Sequence, residues 1–151
     1  MVWACIGWNG LGYMIKIDEN VNKELYIEIL EDELPQTSEY YDLGMEDIIF
    51  QQDNAKPHTA KIVQEWFKEH DLEVVEWLAN SLDLSPIENA WNQVKRRPYQ
   101  YKRPVGGILE LWGRIQEVWN EVTEKECQDL FGSMTRRVQA CIEEKGGPTK
   151  Y

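Results

Sequence analysis

Apolar residues in the first half of the chain alternate between the spacing of strands and the spacing of helices. A glycine-rich turn at 10–12 separates the first two apolar runs. Between the later apolar runs lie stretches in which apolar and polar residues recur at helical spacing. The spacing predicts strands at 2–8, 13–17, 47–52 and 72–77. It predicts helices, the first with an acidic outer face, at 22–34 and 58–70. Strands that alternate with helices are typical of an α/β layer with parallel pairing.

The second half of the chain has helical spacing throughout. The predicted helices are 86–97, 104–122 and 124–143. Ser85 is the predicted N-cap of the first of them, and two glycines at 146–147 end the last. We therefore expect a single domain over 1–151, with an α/β part at 1–85 and C-terminal helices at 86–151.

Composition narrows the classes of protein that fit this pattern. A length of 151 residues with 42% hydrophobic residues suits one folded domain and excludes compositional disorder. The net charge of −11 argues against a general nucleic-acid binder, because phosphate contacts need Lys and Arg. Residues 1–50 hold 11 acidic and 2 basic residues, so the remainder can present a locally basic surface. No apolar stretch is long enough to span a bilayer. The three widely spaced cysteines favour reduced thiols in an intracellular protein.

Asp53 directly follows the predicted strand at 47–52, in the sequence FQQDNAKPHTA. Functional groups of open α/β sheets gather at the carboxyl ends of the strands, so an Asp in this place fits a metal ligand. It equally fits a turn, since Asp and Asn side chains bond nearby backbone N–H groups. These residues by themselves leave both interpretations open.

Glu88 is the second acidic candidate, in the sequence LDLSPIENAW. Ser85 at N-cap and Glu88 at N3 predict a capping box, which would give Glu88 a structural role. A helix start aimed at the carboxyl edge of the sheet would also bring Glu88 towards Asp53, with Asp83 in a nearby loop. Converging carboxylates bind Mg²⁺ or Mn²⁺, and two such ions can cleave a phosphodiester.

A cluster of basic residues lies at the end of the helix that carries Glu88 and just beyond it. Its members are Lys95, Arg96, Arg97, Lys102 and Arg103. The cluster fits a DNA-backbone contact or a nuclear import signal, and it also fits a solvated helix end, where cations suit the helix dipole. We predict that Arg136 and Arg137 lie on the surface. We predict that His58 is a structural donor and not a catalytic group.

Three segments together resemble the catalytic domain of Tc/mariner-superfamily transposases: QDNAKPHTA, VVEWLANSLDLSPIENAWNQVKRR and MTRRVQACIEEKGGPTKY. The opening VWACIGWNGLG resembles the early hairpin of that domain, so the resemblance covers 2–151. It implies an α/β, RNase H-like fold with a mixed sheet flanked by helices. It also implies an enzyme that cuts and joins DNA with Mg²⁺ or Mn²⁺. By resemblance, Asp53 matches the second catalytic Asp and Glu88 the third acid, both as metal ligands. The 34 residues between them match the Tc-type branch that ends in Glu.

The family's first catalytic Asp lies on a central strand just before the VWACIGWNG stretch, and no carboxylate precedes Asp18 in this chain. We therefore expect an N-terminally truncated DDE endonuclease domain that lacks this strand and is catalytically impaired, with weak metal binding. Unpaired strand edges would favour a homodimer or a strand from a partner. The resemblance implies DNA as partner, the nucleus as location and no membrane. The alternative is a non-enzymatic domesticated module that binds protein or nucleic acid through the acidic helix 22–34 and the basic residues 95–103.

Overall fold

The structure is a computed structural model that describes residues 1–79, 81–97 and 103–147. Its elements, in chain order, are β1 (Val2–Gly7), β2 (Gly10–Lys16), α1 (Lys23–Tyr40), β3 (Ile49–Phe50), α2 (Lys61–Glu69), β4 (Glu73–Val74), α3 (Pro86–Arg96), α4 (Ile108–Asn120), α5 (Glu124–Gly132) and α6 (Met134–Glu143). They form two compact units. The first joins Met1–Ala4 to Gly12–Ser81, and the second joins Cys5–Leu11 to the residues from Leu82 onward. The predicted division of one domain at 85 stays a prediction.

β1 and β2 form a two-stranded hairpin, as predicted from the first two apolar runs. At its open end the Ile17 N–H donates to the Met1 carbonyl over 2.9 Å, and the Met1 amino group donates to the Ile17 carbonyl over 2.7 Å. Gly10, at the start of β2, has a φ of 143°. Only glycine adopts that backbone conformation readily, which explains the residue at this turn.

The core of the first unit lies between α1, α2 and the second pair of strands. The residues buried in it are Tyr26, Leu30, Leu34, Phe50, Val63, Trp66, Phe67 and Leu72. The rings of Phe50 and Phe67 lie 5.3 Å apart, so the strand before Asp53 packs directly on α2. Burying each large apolar side chain stabilises the fold by about 1.5–3 kcal/mol.

β3 and β4 pair in parallel across α2, which confirms the predicted parallel pairing. The facing residues are Ile49 with Glu73 and Phe50 with Val74. One further bond, from the Val75 N–H to the Phe50 carbonyl over 2.8 Å, extends the contact. Both strands are shorter than the predicted 47–52 and 72–77. β3 ends at Phe50, two residues before the predicted end, so Gln51 and Gln52 separate its carboxyl end from Asp53.

α1 extends to Tyr40, so the predicted helix end at 34 was wrong. Pro35 lies inside the helix and has no N–H to donate. The Gln36 side chain donates to the Asp32 carbonyl over 2.7 Å, and the buried Ser38 hydroxyl donates to the Leu43 carbonyl over 3.1 Å. These side-chain bonds hold the turns on either side of the proline.

The second unit contains α3 to α6. Trp119 of α4 is buried against Trp91 of α3, with ring centroids 4.9 Å apart, while Trp112 is half-buried. The three cysteines are free thiols, and only Cys127 is fully buried; burial raises the pKa of its thiol to about 11. No helix in the described part of the chain is long and apolar enough to cross a membrane.

The prediction of a single helix at 124–143 was wrong, because α5 and α6 are separate helices that meet at Ser133. The Ser133 hydroxyl donates to the Leu130 carbonyl over 2.6 Å. A serine that bonds the backbone in this way competes with the regular helical ladder. Apolar spacing continues through the break, so periodicity alone does not reveal it.

Candidate functional site

Asp53 lies in the turn between β3 and α2, beyond Gln51 and Gln52. Its Oδ1 accepts a hydrogen bond from the Ala55 N–H over 3.0 Å, which is the bond of a turn-forming Asp. The side chain is 50% exposed. The turn interpretation is therefore confirmed, and because the carboxylate also stays open to solvent, the metal-ligand interpretation stays a prediction.

His58 makes the second contact to Asp53. Its Nδ1 lies 2.6 Å from Oδ1, the same oxygen that accepts from Ala55. An ionised carboxylate only accepts, so Nδ1 carries a proton and donates it. Oδ1 thus takes both bonds, and Oδ2 takes none from any described residue. This contact agrees with the predicted role of His58 as a structural donor, and its lack of a catalytic role stays a prediction.

A buried network fixes the position of His58. Its ring lies on the ring of Tyr26, with centroids 4.2 Å apart. The Tyr26 hydroxyl donates to Gln52 Oε1 over 2.6 Å, and Gln52 Nε2 donates to the His58 carbonyl over 3.3 Å. Gln64 Nε2 donates to the same carbonyl over 3.0 Å. Burial raises the pKa of Tyr26, and the charge of Asp53 raises it further, so the hydroxyl stays protonated as a donor.

The turn is also tied to the loop that follows β4. Asn54 Nδ2 donates to the Trp77 carbonyl over 2.9 Å, and the Thr59 hydroxyl donates to the Ala55 carbonyl over 3.3 Å. Two side chains that follow Asp53 in the chain therefore anchor this turn. The carboxylate is held on a rigid segment and not on a free loop.

Glu88 lies in the first turn of α3, after the N-cap residue Ser85. The predicted capping box is wrong, because the Ser85 side chain makes no capping bond. Ser85 is buried, and Asn89, one turn further on, donates its side-chain N–H to the Ser85 carbonyl over 3.0 Å. Glu88 is left half-exposed, and its carboxylate makes no hydrogen bond or ion pair with another described residue.

Arg137 of α6 holds the segment before α3. Its guanidinium donates to the carbonyls of Asp83, Leu84 and Leu130, each over 3.4 Å. Only 4% of Arg137 is exposed, so its predicted place on the surface was wrong, whereas Arg136 is exposed as predicted. A buried guanidinium must be hydrogen-bonded, and the carbonyls at the start of α3 meet that need.

Two of the five basic residues near the end of α3 are engaged in ion pairs. Arg97 pairs with Glu126 of α5, and Arg103 Nη2 lies 2.8 Å from Glu110 Oε1. Glu110 also pairs with the buried Arg114 over 2.6 Å. The hydrogen bond from the Gly106 N–H and the Arg114 contact lower the pKa of Glu110. These arginines therefore connect elements of the second unit.

Two other members of the basic cluster are exposed. Lys95 and Arg96, in the last turn of α3, make no ion pair or hydrogen bond within the described ranges. Lys102 lies outside the described residues, as do the neighbouring tyrosines 99 and 101. Lys95 and Arg96 are thus the described basic residues of this cluster that remain available to a partner.

Asp53 belongs to the first unit and Glu88 to the second. Within the ranges that the structure describes, no group of three or more His, Cys, Asp or Glu side chains is placed to hold a metal ion. The carboxylate oxygens fit Mg²⁺ or Mn²⁺ in donor type. The number of donors gathered at one point is lower than a complete site requires.

Sequence reasoning missed the contacts of Tyr26, Gln52 and Arg137. Tyr26 shares the helical face of Ile29 and Leu30, so periodicity could have predicted its burial but not its hydroxyl bond. The contact of Arg137 with the Asp83 carbonyl joins residues 54 positions apart. No signal in the sequence indicates that pairing.

Comparison with known proteins supports the resemblance to Tc/mariner transposases that the sequence motifs indicate. The model of the DDE superfamily endonuclease family matches residues 4–106. The transposase of the Caenorhabditis briggsae transposable element Tcb2 is 31% identical over 151 residues, which are 100% of this chain and 54% of that protein. The chain spans about half the length of the curated relatives it matches.

Solved structures confirm the predicted fold class. A structure of the Mos1 transposase catalytic domain with raltegravir and Mn has a TM-score of 0.85 at 19% identity, covering 99% of this chain and 76% of that one. The Mos1 paired-end complex with the left transposon end also has a TM-score of 0.85, at 18% identity, and covers 99% of this chain and 44% of that one. The fold is therefore α/β and RNase H-like, with the helical C-terminal part that was expected.

Proposed function

The chain belongs to the DDE superfamily of endonucleases and is related to Tc/mariner transposases, and from that premise we propose a role in metal-dependent cleavage and joining of transposon DNA. Asp53 and Glu88 are the proposed catalytic acids and metal ligands. The observation that carries the proposal is the state of the Asp53 carboxylate in the turn after β3, where Oδ1 accepts two hydrogen bonds and Oδ2 accepts none from a described residue. The presence of Mn in the similar Mos1 catalytic domain supports the choice of cation.

Each residue has a defined part in this proposal. Asp53 offers Oδ2 to a hard cation, and the half-exposed Glu88 offers an unengaged carboxylate. A bound Mg²⁺ or Mn²⁺ supplies an activated water and stabilises the leaving oxygen of a phosphodiester. The anchored turn at 53–60 keeps Asp53 in place without help from the cation.

We expect residues 1–151 by themselves to bind the cation weakly and to cleave DNA little or not at all. They supply two of the three acids that the family resemblance implies. Each sheet among the described residues has only two strands, so each strand has an edge that can accept another strand. A second copy of this chain, or a partner, could add a strand with a third carboxylate there. Light scattering over a range of concentrations tests the homodimer.

Metal binding is tested by amide NMR during a Mn²⁺ titration of the 151-residue chain. We expect paramagnetic broadening of the Ala55 amide and of amides near Glu88, with losses in Asp53→Ala and Glu88→Ala respectively. Glu124→Ala, which removes an exposed first-turn glutamate of α5, is the matched control and should leave the broadening unchanged. Broadening that survives Asp53→Ala would sink the assignment of this ligand.

Nicking of supercoiled plasmid with Mg²⁺ or Mn²⁺ tests catalysis by the same variants. Little or no nicking by the unaltered chain is the expected result. Nicking that both Asp53→Ala and Glu88→Ala abolish would confirm the site and refute the impairment. Nicking that both variants retain would refute the site.

A second function, DNA binding without catalysis, is favoured by Lys95 and Arg96, which are exposed and unpaired in the described part of the chain. We expect Lys95→Ala with Arg96→Ala to lower the slope of log affinity against log salt by roughly 1 for each lost phosphate contact. Lys125→Ala is the control, because Lys125 is exposed but pairs with Asp129 over 2.6 Å. Fluorescence anisotropy with duplex DNA measures both slopes, and equal slopes would contradict the assignment. We therefore also propose a nuclear location.

A further inference from the structure

We propose that His58 is a positioning residue for Asp53, which saturates Oδ1 and leaves Oδ2 as the single oxygen that binds the cation. This inference rests on the proposed function of Asp53 as a metal ligand. It assigns to His58 a role beyond the turn itself. It also states how Asp53 binds the cation, through one oxygen and not through two.

The hydrogen-bond count at Oδ1 supports the assignment. A carboxylate oxygen has two lone pairs, and Oδ1 accepts one bond from the Ala55 N–H over 3.0 Å and one from His58 Nδ1 over 2.6 Å. Oδ1 therefore has no lone pair left for a cation. Oδ2 accepts no bond from another described residue, and the side chain is 50% exposed, so on this oxygen no described donor competes with a cation.

The network behind His58 makes the orientation rigid. Its side chain is 21% exposed, and its ring rests on Tyr26, which is 1% exposed. Gln52 and Gln64 both donate to the His58 carbonyl, so the ring and the backbone are each restrained. A carboxylate held in one orientation before the cation arrives loses less freedom on binding, which raises the affinity.

His70 provides an internal control, since the chain contains two histidines. Its ring stacks on Trp66 at 4.1 Å, and its Nδ1 lies 2.8 Å from the Trp66 carbonyl. Both histidines therefore pack on a buried aromatic ring and use Nδ1. Of the two, only His58 bonds a carboxylate within the described residues.

The test compares four variants of the 151-residue chain by Mn²⁺ affinity, measured from the paramagnetic relaxation of the Ala55 amide. His58→Phe keeps a ring on Tyr26 but removes the donor, and we expect it to weaken Mn²⁺ binding by about 10-fold or more. His58→Asn places an amide donor near the position of Nδ1 and should restore most of the affinity. His70→Phe should leave the affinity unchanged, and Asp53→Ala should abolish binding at this site.

A measurement without metal tests the hydrogen bond from His58 to Asp53 independently of the proposed metal binding. Nitrogen chemical shifts of His58 should show a protonated Nδ1 in the unaltered chain, and that signature should be lost in Asp53→Ala. An unprotonated Nδ1, or unchanged Mn²⁺ affinity in folded His58→Phe, would overturn the inference while leaving Asp53 as a ligand. If His58→Phe does not fold, His58→Leu decides by the same criterion.

Binding that persists in Asp53→Ala, or an unaltered chain that binds no Mn²⁺ at millimolar concentration, would overturn the proposed function and with it the metal-directed role of His58. In that case a protonated Nδ1 would still confirm the hydrogen bond to Asp53. The two failures are thus distinguishable in one set of samples.

Discussion

The two acids proposed as metal ligands lie in opposite surroundings. The carboxylate of Asp53 is itself held, because Oδ1 accepts from Ala55 and from His58. Glu88 makes no such bond with any described residue, although buried Arg137 holds the backbone just before its helix. In the first unit hydrogen bonds position the side chain of the acid, and in the second they position the backbone before the helix while the Glu88 carboxylate makes no bond with a described residue.

The difference shows how far local patterns can be relied on. Each residue lies in a short sequence pattern that predicts a hydrogen bond between a side chain and nearby backbone. The pattern is a turn at Asp53 and a capping box at Glu88. The turn bond forms because it needs only the N–H two residues further on. The capping box does not form, since Ser85 is buried and its side chain makes no capping bond. The packing around a residue therefore decides whether the hydrogen bond that its local sequence predicts is formed.

Arg137→Met should give the largest loss of stability in this comparison. Three backbone carbonyls would lose a buried charged donor, so we expect the free energy of unfolding to fall by about 2 kcal/mol or more. Urea unfolding measures it. Arg136→Met, which changes the exposed neighbour, should cost less than about 0.5 kcal/mol. Equal losses in the two variants would contradict the role of Arg137 at the start of α3.

Asp53→Ala should come next, with a loss of about 1 kcal/mol, because the Ala55 N–H and His58 Nδ1 lose a partly exposed acceptor. Asp53→Asn keeps an acceptor oxygen and should recover most of that stability. Urea unfolding of both variants without metal separates the structural bonds from any role of the charge. If Asn were as costly as Ala, the hydrogen bonds to Oδ1 would not be what stabilises the turn.

Glu126→Ala tests a capping box that does form. Glu126 occupies N3 of α5, accepts from the Thr123 N–H over 2.8 Å and should contribute about 1 kcal/mol at pH 7. The Thr123 N–H is the main cause that lowers the pKa of Glu126, and Arg97 lowers it further. A lowered folded-state pKa means that the contribution is complete above the ordinary glutamate pKa and is lost as the pH falls through the folded value.

Urea unfolding of the unaltered chain and Glu126→Ala should therefore show a gap that shrinks as the pH is lowered from 7 towards the acid range. Glu124→Ala, in the same first turn but with an exposed side chain, is the control and should show a smaller gap. A gap that widens on acidification would contradict the assigned direction of the pKa shift.

Glu88→Ala should have the smallest effect on stability, below about 0.5 kcal/mol, because its carboxylate bonds no other described residue. Glu88 and Glu126 both occupy N3 of their helices, so the two alanine variants form a direct comparison. Urea unfolding at pH 7 without metal measures both. A loss at Glu88 as large as that at Glu126 would show that Glu88 is chiefly structural.

Local periodicity predicted the elements that surround the site better than it predicted their ends. The hairpin, the helical face of Val63, Trp66 and Phe67, and the place of Asp53 after β3 all follow from the spacing of neighbouring residues. The end of α1 and the break at Ser133 do not, because Ser38 and Ser133 bond carbonyls that apolar spacing does not indicate.

The sequence by itself determined the order of strands and helices, the family motifs and the two candidate acids, because each depends on residue types within a short stretch. Only the tertiary structure decided what holds the ring of His58 beside Asp53 and what holds the helix of Glu88. Those outcomes depend on partners far apart in the chain, 26 positions between Tyr26 and Gln52 and 54 between Arg137 and Asp83. Packing brings such residues together, and no local pattern encodes which of their donors will meet which acceptor.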